Sequence, residues 1–186
     1  MQRKRMIERV EAILEELGLP CEQNVSFNWM TNRVPMEKGD PAPPRVRYRL
    51  MAIHARLGGD LSALERKRRT PLRFDFLIED KTLVEVESRA HFSSHRMSTL
   101  EFYDGLDHNL DVDLYRKLCS RFSDIQNEGS RDATDFPFPG GRSAQRAYFD
   151  AVKDLLVPAH DYRLIRLPAA DEELIENIPL SLRVLV

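Results

Sequence analysis

From residue 73 to residue 87 the chain alternates between apolar and polar positions. Phe74, Phe76 and Ile78 interleave with Arg73, Asp75 and Leu77, and Val84 and Val86 interleave with Leu83, Glu85 and Glu87. A period of two is that of a β-strand, and the polar Glu79-Asp80-Lys81 between the two runs predicts the turn of a hairpin. A turn centred on Asp80 sets Asp75 across from Glu85, Arg73 from Glu87, Leu77 from Leu83, Phe76 from Val84 and Phe74 from Val86, with Ile78 facing Thr82. A turn centred half a residue away would set Phe76 against Glu85 and Asp75 against Val86, mixing the faces, so the register is well specified. One face of the hairpin then gathers Asp75, Glu85 and Glu87.

Elsewhere the period lengthens. Ile7, Val10, Ile13, Leu14 and Leu17 recur at helical spacing before Gly18 and Pro20, predicting an amphipathic helix over 5–17. Residues 22–29 read as a strand with Val25 and Phe27 on one side. The prolines and glycine between Asn32 and Pro44 predict a loop. Residues 46–57 and 60–69 read as two short helices broken at Gly58-Gly59. Asp111 to Phe122 has helical spacing, 123–142 is polar and aperiodic and reads as a mobile loop, and Ser143 is positioned to cap a helix running to about Leu156. Residues 162–167 alternate as a strand and 171–178 form a last short helix. The order predicts the α/β class, with a mixed central sheet flanked by helices and a basic helical insertion at 32–70 inside a single domain spanning 1–186.

Composition narrows the classes without naming one. A chain of 186 residues can build its own core, and 42% hydrophobic and 31% charged residues with a mean hydropathy of −0.45 describe a folded, soluble protein. No apolar run reaches membrane-spanning length, and the basic start Met-Gln-Arg-Lys-Arg lacks an apolar signal core, so a cytoplasmic location is expected. Cys21 and Cys119 stand apart, which predicts neither a disulfide framework nor a zinc site. The net charge of −2 is unevenly spread. Between Arg45 and Arg73, nine basic side chains stand against Asp60 and Glu65, a balance of +7 that leaves −9 for the rest. Such asymmetry predicts a basic surface for a polyanion beside an acidic body, with Arg45, Arg47, Arg49, Arg66, Lys67, Arg68 and Arg69 as the phosphate-contacting set; a solvated charged helix and loop is the plain alternative.

Like charges directly opposite one another destabilise a sheet. The Asp75–Glu85 pair therefore calls for a compensating cation, and a divalent metal is the simplest, since Mg²⁺ prefers one or two carboxylates together with waters and substrate phosphates. The plain alternative is an exposed acidic face partly neutralised by Arg73.

The residues in order resemble a known family. A first helix bearing glutamates, Arg-Phe-Asp-Phe, Val-Glu-Val-Glu, a His four positions later, a helix with Asp and Lys, and a closing Leu-Ile-Arg-Leu strand are similar to the PD-(D/E)XK, restriction-endonuclease-like nuclease superfamily. The nearest likeness is to its very-short-patch-repair-like and EDxHD phage homing endonuclease branch. The resemblance implies Asp75, Glu85 and Glu87 as ligands of Mg²⁺ or Mn²⁺, His91 as general acid/base, with His95 a weaker candidate, and Lys117 as a phosphate or transition-state contact within a helix motif formed by Asp113 and Arg116 or Lys117. Glu8 or Glu11 would reach the site from the first helix. Two departures stand out: the position usually held by lysine is Glu87, and the Asp-Gly of the homing branch is Glu87-Ser88.

The expected activity is metal-dependent hydrolysis of DNA phosphodiester bonds by an endonuclease. The alternatives are a catalytically degenerate module of the same fold that binds nucleic acid or a protein partner, and a nuclease directed at RNA. Target sequence, cutting pattern and oligomeric state, including a homodimer, are left open.

Overall fold

A computed structural model describes residues 2–34, 42–123, 132–178 and 182. The element order is α1 (Gln2–Glu16), β1 (Cys21–Thr31), α2 (Pro44–Arg56), α3 (Leu61–Arg66), β2 (Pro71–Ile78), β3 (Thr82–Glu87), α4 (Ser94–Thr99), α5 (Val112–Phe122), α6 (Gly141–Leu156), β4 (Arg163–Pro168) and α7 (Glu172–Glu176). The four strands form one mixed sheet in the order β1-β2-β3-β4, with β1/β2 and β2/β3 antiparallel and β3/β4 parallel. The predicted mixed α/β architecture is therefore present.

Two apolar layers sandwich the sheet. On one face Met6, Val10 and Leu14 of α1 pack with Phe76, Ile78, Val84, Val86 and Leu167. On the other face the larger cluster joins Leu83 and Leu164 to α2, α5 and the alanine-rich side of α6, including Ala144, Ala147 and Ala151. With both sides covered, β3 is buried along nearly its whole length. Its alternation sends Val84 and Val86 to one layer and Leu83, Glu85 and Glu87 to the other. The acidic face of the hairpin is thus roofed by α6, with Glu85 at 4% and Glu87 at 0% exposure, and the reading of it as an exposed charged surface is corrected.

The hairpin register holds only near the turn. Phe76↔Val84, Leu77↔Leu83 and Ile78↔Thr82 pair as predicted. Beyond Phe76 the strands part: Phe74 packs in the opposite layer from Val86, so the expected Phe74–Val86 partnership is not made. The change of face occurs at Asp75, whose Oδ2 accepts the Val86 N–H at 2.8 Å, a carboxylate taking the place of a ladder carbonyl. Beside it, Asn24 on β1 adopts φ +56° between the Gln23↔Phe76 and Val25↔Phe74 pairs.

Other boundaries differ for local reasons. The helix expected over 60–69 begins as predicted, with Asp60 capping Ala63 N at 3.1 Å, but ends at Arg66. Asn32 accepts from Thr70 N at 2.9 Å and donates to the Arg68 carbonyl at 3.1 Å, holding the stretch before Pro71 extended, where the residue before proline disfavours helix. Ser143 is not the cap of α6: Gly140, at φ +91°, precedes a helix that starts at Gly141, and Ser143 is buried within its first turn. A Cβ on Gly141 would lie 1.9 Å from the Phe136 carbonyl oxygen, so glycine is required by close approach.

The predicted mobile loop is ordered over its described part, while 124–131 lie outside the described residues. Ala133 and Phe136 form a β-bridge, Phe136 is fully buried against His54 and Tyr148, and Asp135 binds Lys67 at 2.8 Å and Gln145 at 2.5 Å. A buried aromatic and a buried ion pair anchor a segment that has no periodicity to announce it. Most of the proline-rich loop, residues 35–41, also lies outside the described residues.

Candidate functional site

The polar layer between the sheet and α6 begins with period-two placement. Glu85 and Glu87 point from β3 and Arg166 from β4, where Arg166 is the register partner of Glu85. From α6, Asp150, Lys153 and Asp154 sit three and four residues apart and so share one side of the helix. Tyr115 of α5 and Arg96 and Tyr103 at and beyond α4 close the layer from the far side.

These groups form a nearly complete set of ion pairs. Lys153 Nζ lies 2.5 Å from Glu85 Oε1 and donates to the Arg73 carbonyl at 2.6 Å. Arg166 Nη1 bonds Glu87 Oε1 and lies 3.5 Å from Asp150 Oδ1, its Nε donates to Asp154 Oδ1 at 2.5 Å and its Nη2 to the Asp150 carbonyl at 2.9 Å. Tyr115 donates to Glu87 Oε2. Arg96 and Tyr103 both reach Asp154 Oδ2 at 2.5 Å. His91, in the 3₁₀ turn 89–91 after β3, holds Nδ1 3.0 Å from Asp150 Oδ2 and 3.7 Å from Glu87 Oε1. Buried charges persist only when paired in this way.

The pairing sets the protonation states. Burial opposes the charged form of His91, but Asp150 first, and Glu87 after it, outweigh that and hold its pKa above the ordinary value. Asp150 responds in the opposite sense: burial raises its pKa, and His91, Arg166 and Arg96 more than reverse this. Asp154 is held low against burial by Arg166 and Arg96. Glu85 differs, since burial raises its pKa and Lys153 and Arg166 offset this only in part while Asp75 adds repulsion.

Among the described residues, the group of three whose ligand atoms all lie within 4.8 Å of one another is Glu87, His91 and Asp150, and it can hold a metal ion. The expected set of Asp75, Glu85 and Glu87 is divided: Glu87 belongs with His91 and Asp150, while Asp75 acts on Glu85 beside Lys153. The donor set of two carboxylates and an imidazole suits a divalent transition metal. Arg166 already occupies Glu87 Oε1, however, and is pinned by three further contacts. The cation at Glu85 is instead Lys153, a point charge on a flexible stem that can yield an oxygen to an incoming ion.

A cleft of about 460 Å³ opens onto this layer, lined by His91, Asp150 and Lys153 with Arg142 and Arg146 of α6 and an apolar floor of Leu72 and Phe149. It adjoins a second hollow of about 620 Å³ that shares Leu72, Arg142, Gln145 and Phe149 and extends to Lys67, Thr70 and Asn32. Arg142 and Arg146 bring positive charge to the first hollow beside Asp150, and Asp132 lines the second.

Other sequence-derived candidates lie elsewhere. Lys117 is exposed on α5, two residues from Tyr115 and so on nearly the opposite side of that helix from the Glu87 contact. Asp113 is exposed and pairs with Arg116. The Asp-x-x-Lys spacing that reaches the carboxylates is Asp150-Ala-Val-Lys153, and its place on the last long helix before the Leu164-Ile-Arg-Leu167 strand was the available signal. Glu8 pairs with Lys4 and Glu11 accepts from Gln23; both sit on α1, which covers the other face of the sheet. His95 has its pKa lowered by burial and lies tilted beside Phe138, with ring centroids 6.3 Å apart. Of the basic set, Lys67 is engaged by Asp135, Arg69 by the Asn28 carbonyl and Arg49 by the Asp104 carbonyl at 3.4 Å, Arg47 is half-buried, and Arg45, Arg66 and Arg68 are exposed. They are divided between α2 and the α3–β2 connection. No helix among the described residues is long and apolar enough to cross a membrane. Comparison with protein-family models, curated proteins and solved structures finds no match to this chain.

Proposed function

We propose that the chain is a metal-dependent phosphodiesterase that cleaves DNA. The observation that carries the reading is the Lys153 ammonium on Glu85, with Asp75 beside it, at the edge of a positively lined cleft. An acid pair and a cation at one point is what hydrolysis of a phosphodiester demands: the acids to hold a divalent ion and the ammonium to face the charge that develops on phosphate oxygens. Asp75 and Glu85 would hold Mg²⁺ or Mn²⁺, which supplies an acidified water and neutralises charge in the transition state. The sheet order, antiparallel twice and then parallel, with carboxylates on its second and third strands, agrees with the restriction-endonuclease-like resemblance.

The chain's own residues then divide the work. Lys153, in the place that Glu87 leaves without a lysine, stabilises the phosphate charge. Asp150 grips His91 Nδ1 and raises its pKa, so Nε2 is the atom from which a proton would pass to the leaving oxygen. Arg142 and Arg146 bind flanking phosphates, and Arg166 and Tyr115 fix Glu87 as part of the scaffold.

A second reading has its own observation. The ion pairs of the layer close on themselves, with Lys153, Arg166, Arg96 and His91 each set against Glu85, Glu87, Asp150 or Asp154. A layer paired without a metal suits a module that binds nucleic acid and does not cut it. Incubating supercoiled plasmid with the protein in Mg²⁺, Mn²⁺ or EDTA, beside Asp75→Asn, separates the two. Metal-dependent nicking lost in the variant supports the first; DNA binding without nicking in any metal, unaffected by Asp75→Asn, replaces it with the second.

A further inference from the structure

The cleft floor is apolar where the mouth is charged. Phe149 and Leu72 line both adjoining hollows, and the Phe149 ring is half-buried between Lys67, whose Nζ lies 5.1 Å from its centroid, and the cleft of His91 and Lys153. Phosphodiester hydrolysis by Lys153 and His91 makes no use of an aromatic ring here. Phe149 packs against the larger core cluster, with the Tyr148 ring centroid at 6.0 Å, yet remains partly open to the hollows.

The charges around the ring select what can lie on it. Arg142 is exposed with only a 3.4 Å contact to Gln145, and Arg146 donates to the Ala90 carbonyl at 3.0 Å. Neither forms an ion pair with a carboxylate among the described residues. Two arginines beside an apolar floor match a group that is flat and apolar at its centre and anionic at its links, which is a nucleotide within a strand. Base-on-aromatic stacking beside a cationic groove is the general means of holding single strands. Resting on the phosphodiesterase reading, we propose that Phe149 and Leu72 form a nucleobase subsite next to the scissile phosphate, with the base stacked on the Phe149 face turned away from Lys67 and its flanking phosphates on Arg142 and Arg146. In a duplex both faces of a base are covered by its neighbours, and drawing one out costs a few kcal/mol. The site therefore takes an unpaired nucleotide, and single-stranded DNA is the preferred substrate class.

The test uses the full chain and a set of oligonucleotides carrying 2-aminopurine at successive positions, as single strands and annealed to their complement. Binding is read in EDTA from anisotropy and 2-aminopurine quenching, and cleavage is read separately in Mn²⁺. Single strands bind more tightly than the duplex and show quenching; Phe149→Leu, which keeps apolar volume but removes the ring, abolishes the quenching and weakens binding about 5-fold or more, while Phe149→Trp preserves both. Equal quenching and affinity in Phe149→Leu, or duplex binding as tight as single-strand binding, overturns the subsite, and cleavage then continues untouched by the substitution. Quenching that depends on Phe149 with no cleavage in any metal leaves the subsite standing and removes the phosphodiesterase reading instead.

Discussion

Replacing Arg166 by methionine removes the cation that the most groups share. Its side chain, 2% exposed, contacts Glu87, Asp150 and Asp154 and has no solvent to substitute for it. Methionine keeps much of the apolar volume, so the loss is electrostatic more than a cavity. Removing one partner of a buried ion pair costs about 3–5 kcal/mol, because the surviving charge stays desolvated. Arg96 still serves Asp154 and His91 still serves Asp150, leaving Glu87 with Tyr115 as its main support. We expect a loss near about 3 kcal/mol, a large share of a domain stability of roughly 5–15 kcal/mol. The sign of the pH dependence follows from Asp154, whose folded pKa Arg166 and Arg96 hold down. Such a group contributes stability above its unfolded pKa of about 3.9 and loses it as pH falls through the depressed folded value. Without Arg166 the folded-state pKa of Asp154 rises, so the deficit is full near neutral pH and shrinks as pH falls through the variant's folded value. Urea unfolding followed by circular dichroism at several pH values reads both features. A loss under about 1 kcal/mol that does not change with pH would show that the layer needs no fixed cation there, and the account of Glu87 as scaffold would fail.

Three further outcomes are expected. His91→Asn removes a group whose folded pKa is raised, so its stabilising effect is complete below about pH 6.5 and lost as pH rises through the folded value; thermal melts of the variant should lag the wild type most in mild acid, and a gap that grows with pH would contradict the His91–Asp150 pairing. Lys153→Met should lower metal-dependent cleavage by about 10²-fold or more and raise the Glu85 pKa further, so its midpoint in urea approaches that of the wild type as pH falls; unchanged turnover would remove Lys153 from the chemistry. Gly141→Ala forces a Cβ to 1.9 Å from the Phe136 carbonyl and should cost about 3 kcal/mol or more, whereas Gly18→Ala, at φ +69° with nothing within 4 Å, should cost about 1–2 kcal/mol; the reverse order in denaturant midpoints would contradict the packing at the start of α6.

Local pattern alone determined the elements whose period is carried by their own residues. The hairpin turn and its nearest pairs, α1, α5, the body of α6 and β4 were legible because apolar spacing reports the buried side of a helix or strand wherever the chain later places it. Asp75, Glu85 and Glu87 were legible as candidates from the alternation of the hairpin, which sends Glu85 and Glu87 to one side of β3, and His91 only from the family resemblance. Depth was not legible. Whether that side meets water or a helix depends on α6, more than fifty residues further along, and its alanines let it lie close enough to bury both glutamates. Only the assembled sheet could decide that Glu87 meets Arg166, that Glu85 meets Lys153, and that the Asp-x-x-Lys spacing of α6 and not that of α5 faces the acids, because each choice rests on contacts between segments whose local sequence does not refer to one another. The ordered turn at 132–142 belongs to the same class: nothing periodic marks it, and it is held by Phe136 and by the Asp135–Lys67 pair, formed with residues about seventy positions earlier. Charge patterning shows that compensation is needed, and tertiary packing selects the partner, because desolvation makes an unpaired choice too costly to survive.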